Sequence, residues 1–147
     1  MTVFRITTQQ WSTALTASGY PARWSAKGRS VIYTAESRSL ACLENLVHRS
    51  GEGNNALYKV MLISIPDTIL AETIDPASLI KDWHSMENYI YTQSLGDKWL
   101  NELKSVMLKV PSVIIKKEHN YLINPNHPDF KKIELIGLED FDFDKRF

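Results

Sequence analysis

Arg23, Tyr33 and Glu44 bring a guanidinium, a phenol ring and a carboxylate into the first third of the chain. Arginine supplies a permanent charge and a planar fork that grips an anionic or sugar oxygen at two points, which a lysine does not match. Beside Trp24 its ordinary role is to stack on that ring and face solvent. The ring of Tyr33 can present its face to a cation, worth on the order of 1–2 kcal/mol once water is excluded; the ordinary alternative is a half-buried strand tyrosine whose hydroxyl finds a local partner. Glu44 has Leu40 four residues before it and Val47 three after, so on a helix its carboxylate borders the apolar stripe. There it can stabilise positive charge developing on a sugar carbon, or pair with His48 one turn later for roughly 0.2–0.5 kcal/mol.

Ser112 follows Pro111 at the expected start of a strand, where its hydroxyl can bond a phosphate or amide of a ligand. Asn124, ahead of Pro125, is a further binding candidate, although Asn-Pro pairs chiefly make turns. Glu36 and His48 are secondary candidates. His48, His84, His119 and His127 lack the paired intervals of a zinc site, so no metal is expected. Cys42 and His48 lie six residues apart, on different faces of a helix, which does not suit a nucleophile and its base. Neither a P-loop nor a glycine-rich dinucleotide motif is present.

Several elements must position these groups. Met1–Ile6 and Arg29–Thr34 read as strands, with Ala26–Gly28 as a turn between the latter and an extended Ala22–Ser25. Leu40, Leu43, Leu46 and Val47 recur at helical intervals, which predicts a helix over Ser37–Arg49 with Ser37 as N-cap and Gly51 as stop. The nearly continuous apolar run in Leu57–Pro66 predicts a strand inside a sheet. Ser94 and Asp97 have capping-box spacing ahead of a short helix reaching about Lys104. Ser112–Ile115 and Tyr121–Ile123, on either side of polar Lys116–Asn120, predict a hairpin, and Ile133–Ile136 a last strand.

The 147 residues, 44% of them apolar, suit one domain with its own core. Seventeen basic residues offset seventeen acidic ones, so no broad positive field is available for direct nucleic-acid binding. One cysteine excludes an internal disulfide. No apolar run suits a secretion signal or reaches the roughly 20 residues of a membrane span. The cytoplasm is therefore the expected compartment.

Four stretches in order carry a resemblance: Ala22-Arg23-Trp24; Val31 to Ser37; Leu40-Ala41-Cys42-Leu43-Glu44; and Val110-Pro111-Ser112 with Asn124-Pro125-Asn126-His127-Pro128. Together they resemble the RES domain, over nearly the whole chain. One departure is Ser25, where many members have asparagine, while Gly28 keeps the glycine of the following turn.

The resemblance implies a single mixed α/β (α+β) domain, with a central mixed sheet similar to the ADP-ribosyltransferase fold. It implies the toxin of a bacterial toxin–antitoxin pair that degrades NAD, as substrate and not as cofactor, at its nicotinamide–ribose bond. It also implies an Xre-like helix-turn-helix antitoxin covering the site. In that setting Arg23 would anchor the dinucleotide, Tyr33 stack on nicotinamide, Glu44 stabilise the ribosyl cation, and Ser112 and Asn124 support binding. Two alternatives stay open: ADP-ribosyl transfer to a protein, and a non-catalytic domain that only binds an antitoxin. Homo-oligomerisation within the toxin–antitoxin complex is likewise open.

Overall fold

The computed structural model describes residues 1–48 and 56–147. Its strands are β1 (Thr2–Thr8), β2 (Ile32–Ala35), β3 (Tyr58–Ser64), β4 (Glu72–Thr73), β5 (Met107–Pro111), β6 (His119–Ile123) and β7 (Glu134–Phe141), and its α-helices are α1 (Arg38–His48) and α2 (Tyr89–Glu102). The strands form one sheet in the order β4-β5-β6-β2-β1-β3-β7. It is mixed: β4 runs parallel to β5, and the remaining pairs are antiparallel.

β3 reads as an unbroken apolar run because both its edges and both its faces are covered. It pairs with β1 and β7, Val60 packs on one side of the sheet, and Met61 and Ile63 pack on the other. Burying each such side chain contributes about 1.5–3 kcal/mol.

Both helices lie over the same face. Leu40 and Ala41 of α1 pack with Ile6, Ala35 and Val60, and Trp99 and Leu100 of α2 pack with Leu108, Val110 and Leu122. Tyr33 stands opposite Leu122 and Ala35 opposite Asn120, and Asn120 is in turn opposite Val110. Since strand side chains alternate, Tyr33, Ala35, Asn120, Leu122 and Val110 share this helix-covered face. The other face is closed by Val3, Ile32, Met61, Tyr121 and Ile123.

The start of α1 follows expectation: the Ser37 hydroxyl accepts the Leu40 amide at 3.1 Å. The expected stop at Gly51, with Arg49 before it, lies outside the described residues. Val47 departs from the expected stripe, being 66% exposed, so Glu44 borders the apolar contacts on its Leu40 side alone.

Other boundaries move for identifiable reasons. α2 begins at Tyr89 and not at Ser94, because the Ser85 hydroxyl caps a short 3-10 turn (Met86–Asn88) that leads into it. Ser94 is interior and donates back to the Tyr91 carbonyl at 2.6 Å, while Asp97 faces another segment. Ser112–Ile115 is not a strand. The first arm of the hairpin is β5, and the Ser112 hydroxyl accepts the amides of Ile114 and Ile115 at 3.1 Å each, turning the chain. Ala22–Ser25 is a tight turn closed by an isolated bridge, not an extended segment. β2 is confined to Ile32–Ala35, β7 continues past Ile136 to Phe141, and the two-residue β4 carries too little pattern to be foreseen. Among the described residues no helix is long and apolar enough to cross a membrane.

Candidate active site

Arg23 sits in the Ala22–Ser25 turn, which α2 holds in place. The Gln93 carboxamide donates to the Ala22 carbonyl at 2.9 Å, and the Asp97 carboxylate accepts the Ala26 amide at 3.3 Å. Between these two contacts Gly96 lets the helix approach the Trp24 main chain, and the Trp24 side chain is buried in the core. With its neighbours fixed, Arg23 donates through Nη1 to the His84 carbonyl at 2.9 Å. Its guanidinium stands 5.0 Å from the centre of the Tyr89 ring. The arginine thus does stack on an aromatic ring, but on Tyr89 and not on the adjacent Trp24.

Tyr33 belongs to β2 and packs against the cluster beneath α2. Its hydroxyl lies 2.7 Å from that of Ser25, so the strand and the arginine turn are joined directly. Burial pushes the Tyr33 hydroxyl up to about 12, aided by Tyr89 and Asp97 nearby and opposed by the hydrogen bonds from Ser25 and the Trp24 backbone. Tyr33 is a neutral ring at physiological pH. Ser25 is buried; the sequence marks the position as a departure from the family asparagine, but nothing local reports its bond to Tyr33.

Glu44 projects from α1 toward the β5–β6 end of the same face. Its Oε1 accepts from Asn120 Nδ2 at 2.6 Å and from the Ser112 hydroxyl at 3.4 Å, and His48 Nε2 stands 3.6 Å from Oε2. Burial pushes the carboxyl up, but the His48 and Asn120 hydrogen bonds, the His48 charge and Ser112 outweigh it. The group ends below its ordinary value of 4.5. It is a carboxylate at neutral pH.

Asn120, missed in the polar stretch Lys116–Asn120, is the link between the two halves. It stands opposite Ala35, two residues along β6 from the partner of Tyr33. Such diagonal neighbours on one face lie about 7–8 Å apart. Arg23 is thus packed on Tyr89 while Ser25 of the same turn bonds Tyr33, Glu44 is held by Asn120, Ser112 and His48, and Tyr33 and Asn120 stand on the one β2–β6 ladder.

Other candidates lie differently. Asn124 is buried just past β6, and its carboxamide oxygen accepts the Asn126 amide at 3.0 Å. That bond builds the Asn-Pro turn, and it does not join Asn124 to the other candidates. Glu36 lies 3.5 Å from His119 Nδ1.

The RES domain model matches residues 2–145. This chain belongs to the RES domain family. The RES chain is 34% identical to the Prs ADP-ribosylating toxin of Sphingobium sp. (strain YBL2), covering 96% of this chain and 97% of that protein. It is also 34% identical to a Toxin Res of Yersinia enterocolitica, over 88% of this chain and 86% of the relative. The fold is similar to one in the crystal structure of the M. tuberculosis MbcT–MbcA toxin–antitoxin complex, with a TM-score of 0.77 at 16% identity, covering 96% of this chain and 84% of that one. Arg23, Tyr33, Glu44 and Ser112, which carried the resemblance in the RES sequence, all fall on or beside the helix-covered face.

Proposed function

We propose that this RES domain is the toxin of a toxin–antitoxin pair and consumes NAD by cutting its nicotinamide–ribose bond. The observation that carries the reading is the Glu44 carboxylate, kept ionised by Asn120 and His48, on the same sheet face as the neutral ring of Tyr33.

Breaking the bond sends its electron pair to the nicotinamide nitrogen and leaves positive charge on the ribose. The Tyr33 face suits the cationic ring before cleavage, and Glu44 suits the ribosyl cation as it forms. Arg23 has one nitrogen engaged with His84, and the rest of its fork serves a phosphate. Water then adds to the ribose carbon and loses a proton, giving ADP-ribose; phosphate in its place gives the phosphorylated sugar.

A second reading, transfer of ADP-ribose to a protein side chain, is favoured by the name of the Sphingobium relative. Incubating the purified protein with labelled NAD separates the two. Free ADP-ribose or its phosphate supports cleavage, and label retained on another protein supports transfer. NAD loss unchanged by Glu44→Ala removes Glu44 from the catalytic proposal, and no NAD loss with either protein leaves the chain a non-catalytic binding domain.

The partner in this reading is an Xre-like helix-turn-helix antitoxin that covers the region between Arg23 and Glu44. DNA contact belongs to that partner, since the toxin is formally neutral. Co-expressed toxin and antitoxin should elute together, and the complex should leave NAD intact. Separate elution would remove the partner from the proposal.

A further inference from the structure

Asn120 is held by its two ends in unequal ways. Its Nδ2 donates to Glu44 Oε1 at 2.6 Å, whereas its Oδ1 is buried without a hydrogen-bond partner. The orientation of the amide is fixed by this contact, because turning it over would set a carbonyl oxygen against a carboxylate. A buried acceptor left without a donor is costly; Asn45 Oδ1, Tyr58 Oη and Glu72 Oε2 are left the same way, but Asn120 alone of these residues is hydrogen-bonded to Glu44. Asn120 also lies between the Tyr33 side of the face and Glu44, beside the short Ala35 across the ladder.

We propose that Asn120 binds substrate and positions Glu44 together: Nδ2 fixes the carboxylate, and Oδ1 accepts a hydrogen bond from a ribose hydroxyl next to the carbon being attacked. The inference rests on the NAD reading above. A ribose hydroxyl is preferred over the nicotinamide amide because the free oxygen belongs to the same carboxamide that touches Glu44, and Glu44 faces the ribose carbon. Asparagine suits the place better than aspartate because it supplies an acceptor there without a second negative charge beside Glu44.

The test measures inhibition of NAD loss by ADP-ribose and by nicotinamide, with the acid limb of kcat/KM, for the wild-type protein, Asn120→Ala and Asn120→Asp. Asn120→Ala removes both contacts, so ADP-ribose should bind about tenfold more weakly, nicotinamide should be unaffected, and the acid limb should move up. Asn120→Asp keeps nearly the same shape and an acceptor but replaces the donor by a carboxylate. It should hold ADP-ribose and shift the acid limb upward by about one pH unit or more. His48 stays beside Glu44 in both variants, so a shift reports the loss of Asn120. Should Asn120→Ala fail to fold, Asn120→Asp decides the positioning role by its acid limb and the ribose contact by its hold on ADP-ribose.

An Asn120→Ala protein that folds, binds ADP-ribose as the wild type does and keeps its acid limb overturns the inference while leaving the NAD reading intact. Weakened nicotinamide with unchanged ADP-ribose overturns the ribose assignment. A wild-type protein that neither consumes NAD nor binds ADP-ribose ends the NAD reading, and this inference with it.

Discussion

Gly96 of α2 lies so close beneath the Trp24 main chain that a Cβ in its place would stand 1.6 Å from the Trp24 carbonyl oxygen. The obstruction is backbone, so no rotamer change relieves it. Gly96→Ala would gain roughly 0.5–1 kcal/mol of helix propensity and lose more by forcing the arginine turn off the helix. Overpacking of this kind costs about 1–3 kcal/mol, or more where the backbone itself must move. The variant should unfold at lower urea and lose NAD turnover. Wild-type stability in that variant would show that the turn is not clamped here.

Glu44 tests the electrostatics. Its folded value lies below its ordinary 4.5, so its contribution to stability is present above the unfolded value and is lost as pH falls through the folded one. Activity that needs the carboxylate should fall off in the same acid range, below pH 4.5. Glu44→Gln keeps the shape without the charge and should cut NAD turnover about 10²–10³-fold. His48→Ala removes the leading stabilising partner, so the acid limb should move up. A pH–rate profile of the three proteins checks all of these, and an unmoved limb in His48→Ala would count against the pair.

What the sequence made legible was set by how local its causes are. α1 was readable because Ser37 caps it and Leu40 spaces its buried side, and β3 because both its faces are covered. The start of α2 lies ahead of the place its sequence suggests because Ser94 and Asp97 have capping spacing yet serve other contacts, and no local pattern reports that Asp97 reaches Ala26. Tyr33 and Glu44 were identifiable by type and block. Asn120 is not, and Ser25 is marked only as a departure from the family pattern, since each matters through a partner brought in by the fold, Glu44 for one and Tyr33 for the other.

Tyr33 tests the opposite sign. Burial carries its hydroxyl from 10.0 up to about 12, so the stability due to the neutral phenol is complete below pH 10 and is lost as pH rises toward 12. Urea midpoints of the wild type should fall over that window, and Tyr33→Phe should flatten the fall. At neutral pH Tyr33→Phe loses the Ser25 hydrogen bond, about 0.5–1.5 kcal/mol, but keeps the ring. NAD affinity should therefore survive in Tyr33→Phe and drop in Tyr33→Ala. Equal losses in the two would assign the role to the hydroxyl instead.

Tyr89 offers the separation of binding from chemistry. Its ring lies 5.0 Å from the Arg23 guanidinium, and the His84 carbonyl holds the same side chain at 2.9 Å. A phosphate grip by Arg23 acts alike on ground state and transition state, so loosening it should raise KM and leave kcat in place. Tyr89→Ala removes the face that restrains the guanidinium, and a contact of this class at a partly exposed site is worth about 0.5–1 kcal/mol, or roughly a two- to fivefold rise in KM. Tyr89→Phe keeps the face and should behave as wild type. Steady-state kinetics with NAD decide it: a fall in kcat at unchanged KM in Tyr89→Ala would place Arg23 at the reacting bond and not at the phosphates.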